Sequence, residues 1–296
     1  MFKNLLKKML PHKLILFRRS LIPLWRVVTR KNMRCKRQIS ILHIHLTDHC
    51  NLNCRGCDNF SPLSPKVFAD LAIFERDCVR MSELAQDRVK EIQLLGGEPL
   101  LHTQVIDFMR IARYYFPKTP IKIVTNGILL PKQEEPFWEA CRTYNIEIVV
   151  TKYPIKIDHQ AIARQVRQQG VRFSFYGSTG KVPKTMQCTP LDLSGSQNPR
   201  DSFLRCNRAN RCISLDNGKI YTCSFIPYVK YFTDHFNLPL ECSPHDYIDI
   251  HKAKNIEDIL TFLATPMPFC RYCNPKGMIW DIGYGISKQD IREWIG

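Results

Sequence analysis

The sequence contains no uninterrupted apolar run long enough to cross a bilayer, so it predicts no transmembrane helix. It also has no small-residue cleavage site after its N-terminal apolar stretch, which Arg18, Arg19 and Arg26 interrupt, and this argues against a secretory signal. With 44% hydrophobic and 24% charged residues, the chain is neither disordered nor collagen-like. Its 296 residues are enough for a sizeable buried core, and we expect a globular cytoplasmic protein.

Acidic residues are missing from positions 1–38, which hold twelve of the chain's 43 lysines and arginines. The other 258 residues carry the remaining 31 basic residues against 27 acidic ones, so the basic character is largely local. This distribution argues against a nucleic-acid partner. Apolar residues are interspersed with the basic ones, and Pro11 and Pro23 divide the segment into short pieces. Such a segment either lies on an anionic membrane, at the inner face, or packs as a helix on the protein.

A chain of this size does not need disulfides, yet it has thirteen cysteines, which in a reducing compartment indicate metal binding. Cys50, Cys54 and Cys57 (the first cysteine set) form a C-x3-C-x2-C motif just after a β-like run. No fourth cysteine lies nearby, whereas a structural zinc site or a ferredoxin cluster takes four protein ligands. Three thiolates leave one position of a metal centre open, and this indicates chemistry rather than structure.

Short apolar runs alternate with amphipathic helical patterns along the first two thirds of the chain. The predicted strands are 39–46, 92–95, 121–124, 146–150 and 171–175, and the predicted helices are 71–84, 105–112, 136–144 and 158–169. This alternation predicts a parallel α/β array, in which functional sites gather at the carboxyl ends of the strands. Further along, Asn217-Gly218 within residues 212–223 predicts a β-hairpin.

These features resemble the radical S-adenosylmethionine (radical SAM) superfamily, whose C-x3-C-x2-C motif holds three irons of a [4Fe–4S] cluster. As in that family, a glycine-rich motif follows the second strand and polar residues follow the third; they are Gly96, Gly97, Glu98 and Pro99, then Thr125 and Asn126. The resemblance implies a partial (β/α)6 TIM-like barrel over residues 39–180, in which these residues bind S-adenosylmethionine. It also implies reductive cleavage of that cofactor to a 5′-deoxyadenosyl radical, with electrons from a flavodoxin- or ferredoxin-type donor.

The residue types of the glycine-rich motif suit this cofactor. Glycine lets the backbone approach a ligand closely, and the Glu98 carboxylate can accept hydrogen bonds from an ammonium group. One position departs from the family, because Gly56 stands where an aromatic residue usually helps to seat the adenine. Phe60 is then the candidate for that contact. His43 and His45 lie on the first strand, where they either face the substrate or, as we favour, are hydrogen-bonded core residues.

A second group of cysteines resembles the twitch module, a shortened SPASM domain, of radical SAM enzymes that act on peptides, sugars or cyclitols. The resemblance assigns a second [4Fe–4S] cluster to Cys206, Cys223, Cys270 and Cys273 (the second cysteine set). Four thiolates also suit tetrahedral zinc, and Cys212 is a rival of Cys206 as a ligand. The implied domains are an N-terminal segment 1–38, a radical SAM core 39–180, a linker 181–205 and an auxiliary-cluster module 206–296.

The sequence thus predicts a radical SAM enzyme with two clusters that modifies a peptide or a sugar or glycan precursor. Two alternatives are a non-catalytic iron–sulfur electron carrier and a zinc-stabilised binding protein, neither of which needs a site for a cofactor amino group. Release of 5′-deoxyadenosine on anaerobic reduction separates the enzyme from both alternatives. We also expect residues 1–38 to be dispensable for the radical chemistry.

Overall fold

The computed structural model describes residues 26–33, 37–176, 187–240, 242–280 and 282–295. Its strands are β1 (Leu42–Thr47), β2 (Ile92–Gly96), β3 (Ile121–Thr125), β4 (Ile146–Val150), β5 (Arg172–Phe175), β6 (Ile213–Asp216), β7 (Lys219–Tyr221) and β8 (Ile248–Asp249). They form one sheet of order β5-β4-β3-β2-β1-β6-β7-β8. Neighbours from β5 to β6 are parallel, whereas β7 is antiparallel to both β6 and β8. The predictions for residues 1–25 and 177–186 lie outside the described residues.

Helices connect and cover the strands. They are α1 (Leu71–Ala85), α2 (Val105–Tyr115), α3 (Glu135–Thr143), α4 (His159–Gln168), α5 (Pro199–Arg205), α6 (Phe225–Phe236), α7 (Ile256–Leu263) and α8 (Arg292–Ile295). Capping side chains define four of their starts: Asp70 accepts a hydrogen bond from the first turn of α1, Asp158 accepts two from that of α4, and Asn198 and Asn255 cap α5 and α7. These bonds satisfy N–H groups that the start of a helix leaves unpaired. None of the helices in the described part of the chain is long and apolar enough to cross a membrane.

The larger hydrophobic core lies between one face of the sheet and helices α1 to α4 and α7. Leu42 and Ile44 of β1 are buried there, together with Phe108 of α2 and Ile259 of α7. Because side chains alternate between the two faces of a strand, the residues between these apolar positions point to the opposite face. On β1, the side chain of His43 points to this opposite face.

Helix α6 covers that opposite face beside β1 and forms a second core. The ring of Tyr228 stacks on His45 with centroids 3.8 Å apart, and Nδ1 of His45 lies 3.1 Å from Oδ1 of Asp48. Both histidines of β1 are buried, and burial lowers the pKa of His43 to about 4. The interpretation of His45 as a hydrogen-bonded core residue is therefore confirmed.

The α/β class predicted from the sequence is confirmed, with β1 to β5 parallel and in sequence order across the sheet. The hairpin is confirmed as well, since Asn217 and Gly218 join β6 to β7 with φ of 47° and 75°, as a two-residue turn with both φ positive requires. The sixth parallel strand is β6, which pairs with β1 through His43 and Ser214. The region predicted as an auxiliary module thus shares the sheet with the core, and its exact boundaries stay predictions.

Residues 26–33 of the basic N-terminal segment pack against the end of α5. The buried guanidinium of Arg26 donates to the carbonyl of Cys206 at 2.6 Å. The side-chain amide of Asn32 donates to the carbonyls of Phe203 at 2.7 Å and Cys206 at 2.8 Å. These bonds satisfy carbonyl groups that the end of a helix leaves unpaired. We therefore expect residues 26–33 to be needed for the fold. This differs from the sequence-based expectation that the whole of residues 1–38 is dispensable for the radical chemistry.

Candidate functional site

The first cysteine set lies in the loop that follows β1, and the end of β2 packs against the start of this loop. The Gly97 amide donates to the Thr47 carbonyl at 2.8 Å, and the Glu98 amide donates to the His49 carbonyl at 3.1 Å. A Cβ atom at Gly96 or Gly97 would lie only 2.0 Å from one of these carbonyl oxygens. The absence of side chains at Gly96 and Gly97 therefore lets the two strand ends pack closely together. The expected contact of this turn with the cofactor stays a prediction.

Glu98 is fully buried inside this junction. Its Oε1 accepts hydrogen bonds from the Thr125 hydroxyl at 2.7 Å and the Leu100 amide at 3.1 Å, and its Oε2 accepts one from the Asn126 amide at 2.9 Å. Burial raises the pKa of Glu98 to about 7, although these hydrogen bonds act in the opposite direction. The sequence placed this carboxylate against the cofactor's ammonium group, but the structure places it against donors of the protein. It ties the end of β2 to the end of β3.

This tie brings the end of β3 to the first cysteine set. Thr125 is the last residue of β3, and the side-chain amide of Asn126 lies 3.8 Å from the sulfur of Cys50 and donates to Asn51 at 2.7 Å. Pro99 begins the short helical turn Pro99–Leu101 that Glu98 caps. The ends of β1, β2 and β3 therefore meet around Cys50, at the carboxyl edge where the sequence placed the site.

The thiols of the first cysteine set lie close enough for their charges to interact. Burial raises the pKa of Cys50 above its usual range, and the charges of Glu98, Cys57 and Cys54 raise it further. A metal cation favours the ionised thiols that this environment otherwise disfavours, so the donor chemistry fits a metal centre. Within the residues that the structure describes, no three or more His, Cys, Asp or Glu side chains stand at metal-binding spacing. The ligand roles of the three cysteines stay predictions that rest on donor type and position.

Residues 282–295 (the C-terminal segment) form a wall of the first cysteine loop, a contact that the sequence did not indicate. The Arg55 amide donates to the Gly285 carbonyl at 2.8 Å, and Cys54 forms an antiparallel bridge with Ile286. The indole of Trp294 donates to the Cys57 carbonyl at 3.0 Å. The loop that carries the first cysteine set is therefore held from both sides, by the strand ends and by the C-terminal segment.

The C-terminal segment also explains the glycine before the third cysteine. Gly56 has a φ of +61°, and a Cβ there would lie 3.0 Å from the Glu293 carbonyl oxygen and 3.1 Å from the Ile282 side chain. An aromatic residue would strain this backbone and displace the segment. The prediction that Phe60 contacts the adenine is wrong, because its ring is fully buried in the second core, 5.5 Å from that of Phe225.

Tyr284 of the C-terminal segment is a site residue that sequence reasoning missed. Its hydroxyl forms a hydrogen bond with the Cys54 thiol, and burial together with the charge of that thiol raises the pKa of Tyr284. The ring of Tyr153, which follows β4, lies 5.8 Å from it. The only signal in the sequence is an aromatic residue between two glycines, which does not mark a site. Tyr284 thus borders the first cysteine set, with Tyr153 next to it.

The second cysteine set comes together from distant parts of the chain. Cys206 ends α5, Cys223 lies just before α6, and Cys270 and Cys273 lie in and just after the turn Pro268–Tyr272. Burial raises the pKa of Cys223 to about 12, and the charge of Cys206 raises it further. Burial likewise raises the pKa of Cys273, with added effects from Cys223 and Cys206. These effects put the four predicted ligands within electrostatic range of one another, although no three of them, in the part of the chain that the structure describes, stand at the spacing of ligands to a single metal ion.

Cys212 is in a different position. Burial raises its pKa to about 11, and the charges that act on it come from Arg208, Asp58, Cys206 and Arg211. The charge of Cys206 also acts on Cys223, Cys270 and Cys273, whereas Cys212 is not among the main charges that shift the pKa of these three thiols. The arrangement favours Cys206 over Cys212 as the fourth member of the second cysteine set.

A cleft of about 590 Å³ opens beside the first cysteine set. Leu52 from the cysteine loop and Gly127, next to Asn126, line it on one side, and the start of α4 with Ile157 lines the other. Most of its lining is apolar, with Lys156 and Asp158 as charged groups at its wall. A cleft of this size is large enough for a nucleoside-sized ligand.

The model of the Radical SAM superfamily matches residues 44–150. GTP 3′,8-cyclase of Sulfurovum sp. (strain NBC37-1) is 27% identical over 136 residues, which are 46% of this chain and 40% of that protein. Molybdenum cofactor biosynthesis protein 1 of Bos taurus is 38% identical over 98 residues, which are 32% of this chain and 15% of that protein. This chain thus spans less than half the length of these relatives.

Two solved structures are similar to this chain at low identity. BtrN in complex with AdoMet and 2-DOIA has 17% identity and a TM-score of 0.49, over 81% of this chain and 94% of that chain. The structure titled native anSMEcpe with bound AdoMet has 11% identity and a TM-score of 0.46, over 79% of this chain and 83% of that chain.

The superfamily match covers the strand ends and the loop of the first cysteine set, but not the C-terminal segment that packs against them. It contains the first cysteine set, the turn after β2 and the residues after β3, and it ends with β4. Membership implies a [4Fe–4S] cluster and S-adenosylmethionine as cofactors. Residues 44–150 of this chain therefore belong to the radical SAM superfamily.

Proposed function

We propose that this chain is a radical SAM enzyme that abstracts a hydrogen atom from a polar substrate. The first cysteine set would hold a [4Fe–4S] cluster, which when reduced would supply the electron for cleavage of S-adenosylmethionine to methionine and a 5′-deoxyadenosyl radical. The observation that carries this proposal is the meeting of three strand ends at Cys50. There the β1 loop, the turn at Gly96-Gly97 and Asn126 are joined by the buried carboxylate of Glu98.

The residues around Cys50 have separate tasks in this proposal. Asn126 keeps its amide next to the Cys50 sulfur, and Glu98 holds the backbone of Asn126 in place. The apolar cleft beside Leu52 receives the nucleoside part of the cofactor and shields it from water. Water exclusion favours a radical enzyme because it protects a reactive intermediate from side reactions.

We propose further that the second cysteine set holds an auxiliary [4Fe–4S] cluster, which would accept an electron from the substrate radical or bind the substrate. The proximity of the four thiols supports this proposal. Tetrahedral zinc is the alternative, since four thiolates are also a structural zinc site. Analysis of iron, sulfide and zinc on protein purified without oxygen decides between them.

The polar face of the sheet supports a polar substrate. Gln93, Lys122 and Glu147 are adjacent in register on β2, β3 and β4. The Lys122 ammonium lies 2.8 Å from Glu91 and 3.6 Å from Glu147, and all three charged side chains are about one-fifth exposed. A peptide or a sugar or glycan precursor has hydroxyl and amide groups that suit this surface. A nucleotide is the competing class, because relatives matched over less than half their length are named GTP 3′,8-cyclase.

Anaerobic reconstitution tests the proposed function. We expect reduced protein, with dithionite or a flavodoxin-type donor, to convert S-adenosylmethionine to 5′-deoxyadenosine detected by chromatography. Cys54→Ala should abolish this product, whereas Cys242→Ala, at an exposed cysteine outside both sets, should not. A cluster-containing protein that releases no 5′-deoxyadenosine would be an electron carrier, and zinc without iron would indicate a zinc-stabilised binding protein.

We also propose a cytoplasmic protein whose residues 1–25 contact the anionic inner face of a membrane. Positions 1–25 have basic residues and no acidic ones, and attraction to an anionic surface contributes about 1 kcal/mol for each basic group near it. The packing of residues 26–33 on α5 limits this role to the preceding residues.

A further inference from the structure

Arg208 is a buried cation that the proposed radical chemistry does not use. It is 5% exposed and forms a two-pronged ion pair with Asp58, in which one guanidinium nitrogen lies 2.8 Å from each carboxylate oxygen. A second nitrogen lies 3.2 Å from the same carboxylate, and a third donates to the Thr189 hydroxyl. The guanidinium also lies 4.6 Å from the centre of the Phe225 ring. All these contacts hold the charged group in one place.

The ion pair connects the two cysteine sets. Asp58 directly follows Cys57 of the first set, and Arg208 comes two residues after Cys206 of the second. The backbone amides of Arg208 and Ala209 both donate to the Cys206 sulfur at 3.3 Å. The loop that follows Cys206 is thus wrapped around this sulfur, with the guanidinium anchored to the loop of the other set.

Burial of such an ion pair requires an explanation, because removing two charges from water costs more than their attraction commonly returns. Asp58 balances one charge and keeps about one third of its side chain exposed. The charge of Arg208 sits on the loop whose backbone amides contact the Cys206 sulfur. A metal bound by four thiolates carries net negative charge, which a fixed cation nearby stabilises.

We propose that Arg208, held by Asp58, is the positioning cation of the second cysteine set, where it stabilises the thiolate–metal centre and fixes it relative to the first set. This inference rests on the proposed metal site of the second cysteine set. It requires an effect on metal affinity itself, because Arg208 acts on the centre through charge and through the conformation of the Cys206 loop. It does not depend on whether the resident metal is an iron–sulfur cluster or zinc.

Cobalt(II) is a suitable probe, since thiolate ligands give it strong charge-transfer absorption. The full chain with serine at all three positions of the first cysteine set, stripped of metal without oxygen, is titrated with cobalt(II) alone. The variants are Arg208→Gln, Arg208→Lys and Asp58→Asn. Arg205→Gln is the matched control, because Arg205 directly precedes Cys206 but pairs with Asp201 at 2.9 Å. Melting curves identify variants that fold.

We expect Arg208→Gln to weaken cobalt binding about 10- to 100-fold, the usual range for a lost partner of a metal ligand. Arg208→Lys should recover part of this loss, because lysine keeps the charge but not the planar fork. Asp58→Asn should weaken binding less than Arg208→Gln, since the cation remains but is held less firmly. Arg205→Gln should stay within about twofold, as removal of a partly exposed charge usually does.

Equal cobalt affinity of the Arg208→Gln and Arg205→Gln variants would overturn the inference and leave the second metal site intact. Absence of thiolate–cobalt absorption in the parent chain would instead refute the second metal site itself. If Arg208→Gln does not fold, the folded Arg208→Lys and Asp58→Asn variants decide, and parental affinity in both of them overturns the inference.

Discussion

The buried carboxylate of Glu98 should make the free energy of unfolding depend on pH, which the sequence alone does not suggest. Burial raises its pKa in the folded chain from the ordinary 4.5 to about 7. The folded state therefore binds this proton more tightly than the unfolded state. The stabilisation is present in full below about pH 4.5 and is lost as the pH rises to about 7.

The size of the effect follows from the two pKa values. A difference of about 2.5 units corresponds to about 3 kcal/mol at 1.36 kcal/mol for each unit. Glutamine at this position cannot titrate, but its amide replaces one acceptor oxygen near the Asn126 amide or the Thr125 hydroxyl. One buried donor then loses its acceptor, at a cost of about 1–3 kcal/mol. Glu98→Gln should therefore destabilise the chain at pH 5 and have a smaller effect, or even the opposite sign, at pH 8.

Urea denaturation of the metal-free chain at several pH values from 5 to 8 measures this directly. The difference in unfolding free energy between the parent and Glu98→Gln isolates position 98, because other titrations cancel. Glu139→Gln, at an exposed position of α3, is the control and should give a flat difference. A difference between parent and Glu98→Gln that does not change across this pH range would refute the buried, protonatable carboxylate.

Four further results are expected. Reconstituted protein should hold about eight irons, and replacing the first cysteine set by alanine should leave about half of them, whereas complete loss would show that the second site is not independent. Glu98→Ala should weaken S-adenosylmethionine binding with iron content intact, because the Asn126 amide loses its acceptor; unchanged affinity would make the tie irrelevant to the cofactor. Trp294→Ala should release iron from the first site faster than Trp280→Ala, and equal rates would contradict a supporting role of the C-terminal segment. Removal of residues 1–25 should abolish pelleting with anionic vesicles and keep the metal, whereas removal of 1–33 should also destabilise the fold; vesicle binding that survives the shorter deletion would contradict the membrane proposal.

Local patterns in the sequence predicted the strands, the hairpin and the edge at which the site forms. The apolar runs that became β1 to β4 are short and mostly buried, and such runs indicate parallel strands. The hairpin depended only on Asn217 and Gly218, which accept positive φ at little cost. The placement of the glycine-rich turn and Asn126 next to the first cysteine set followed from parallel strands ending at one edge.

Contacts between distant segments could not be predicted in this way. The Gly56 position has a glycine because Glu293, 237 residues away, packs against it, and no local pattern records that contact. Phe60 is apolar and follows the cysteines, but only tertiary packing decided that its ring enters a core instead of the cofactor site. The type and spacing of the cysteines in the sequence determined which groups can bind metal, because metal binding depends on the chemistry of individual side chains. Which of these groups meet, and which cation lies between them, was decided by the packing of segments far apart in the chain.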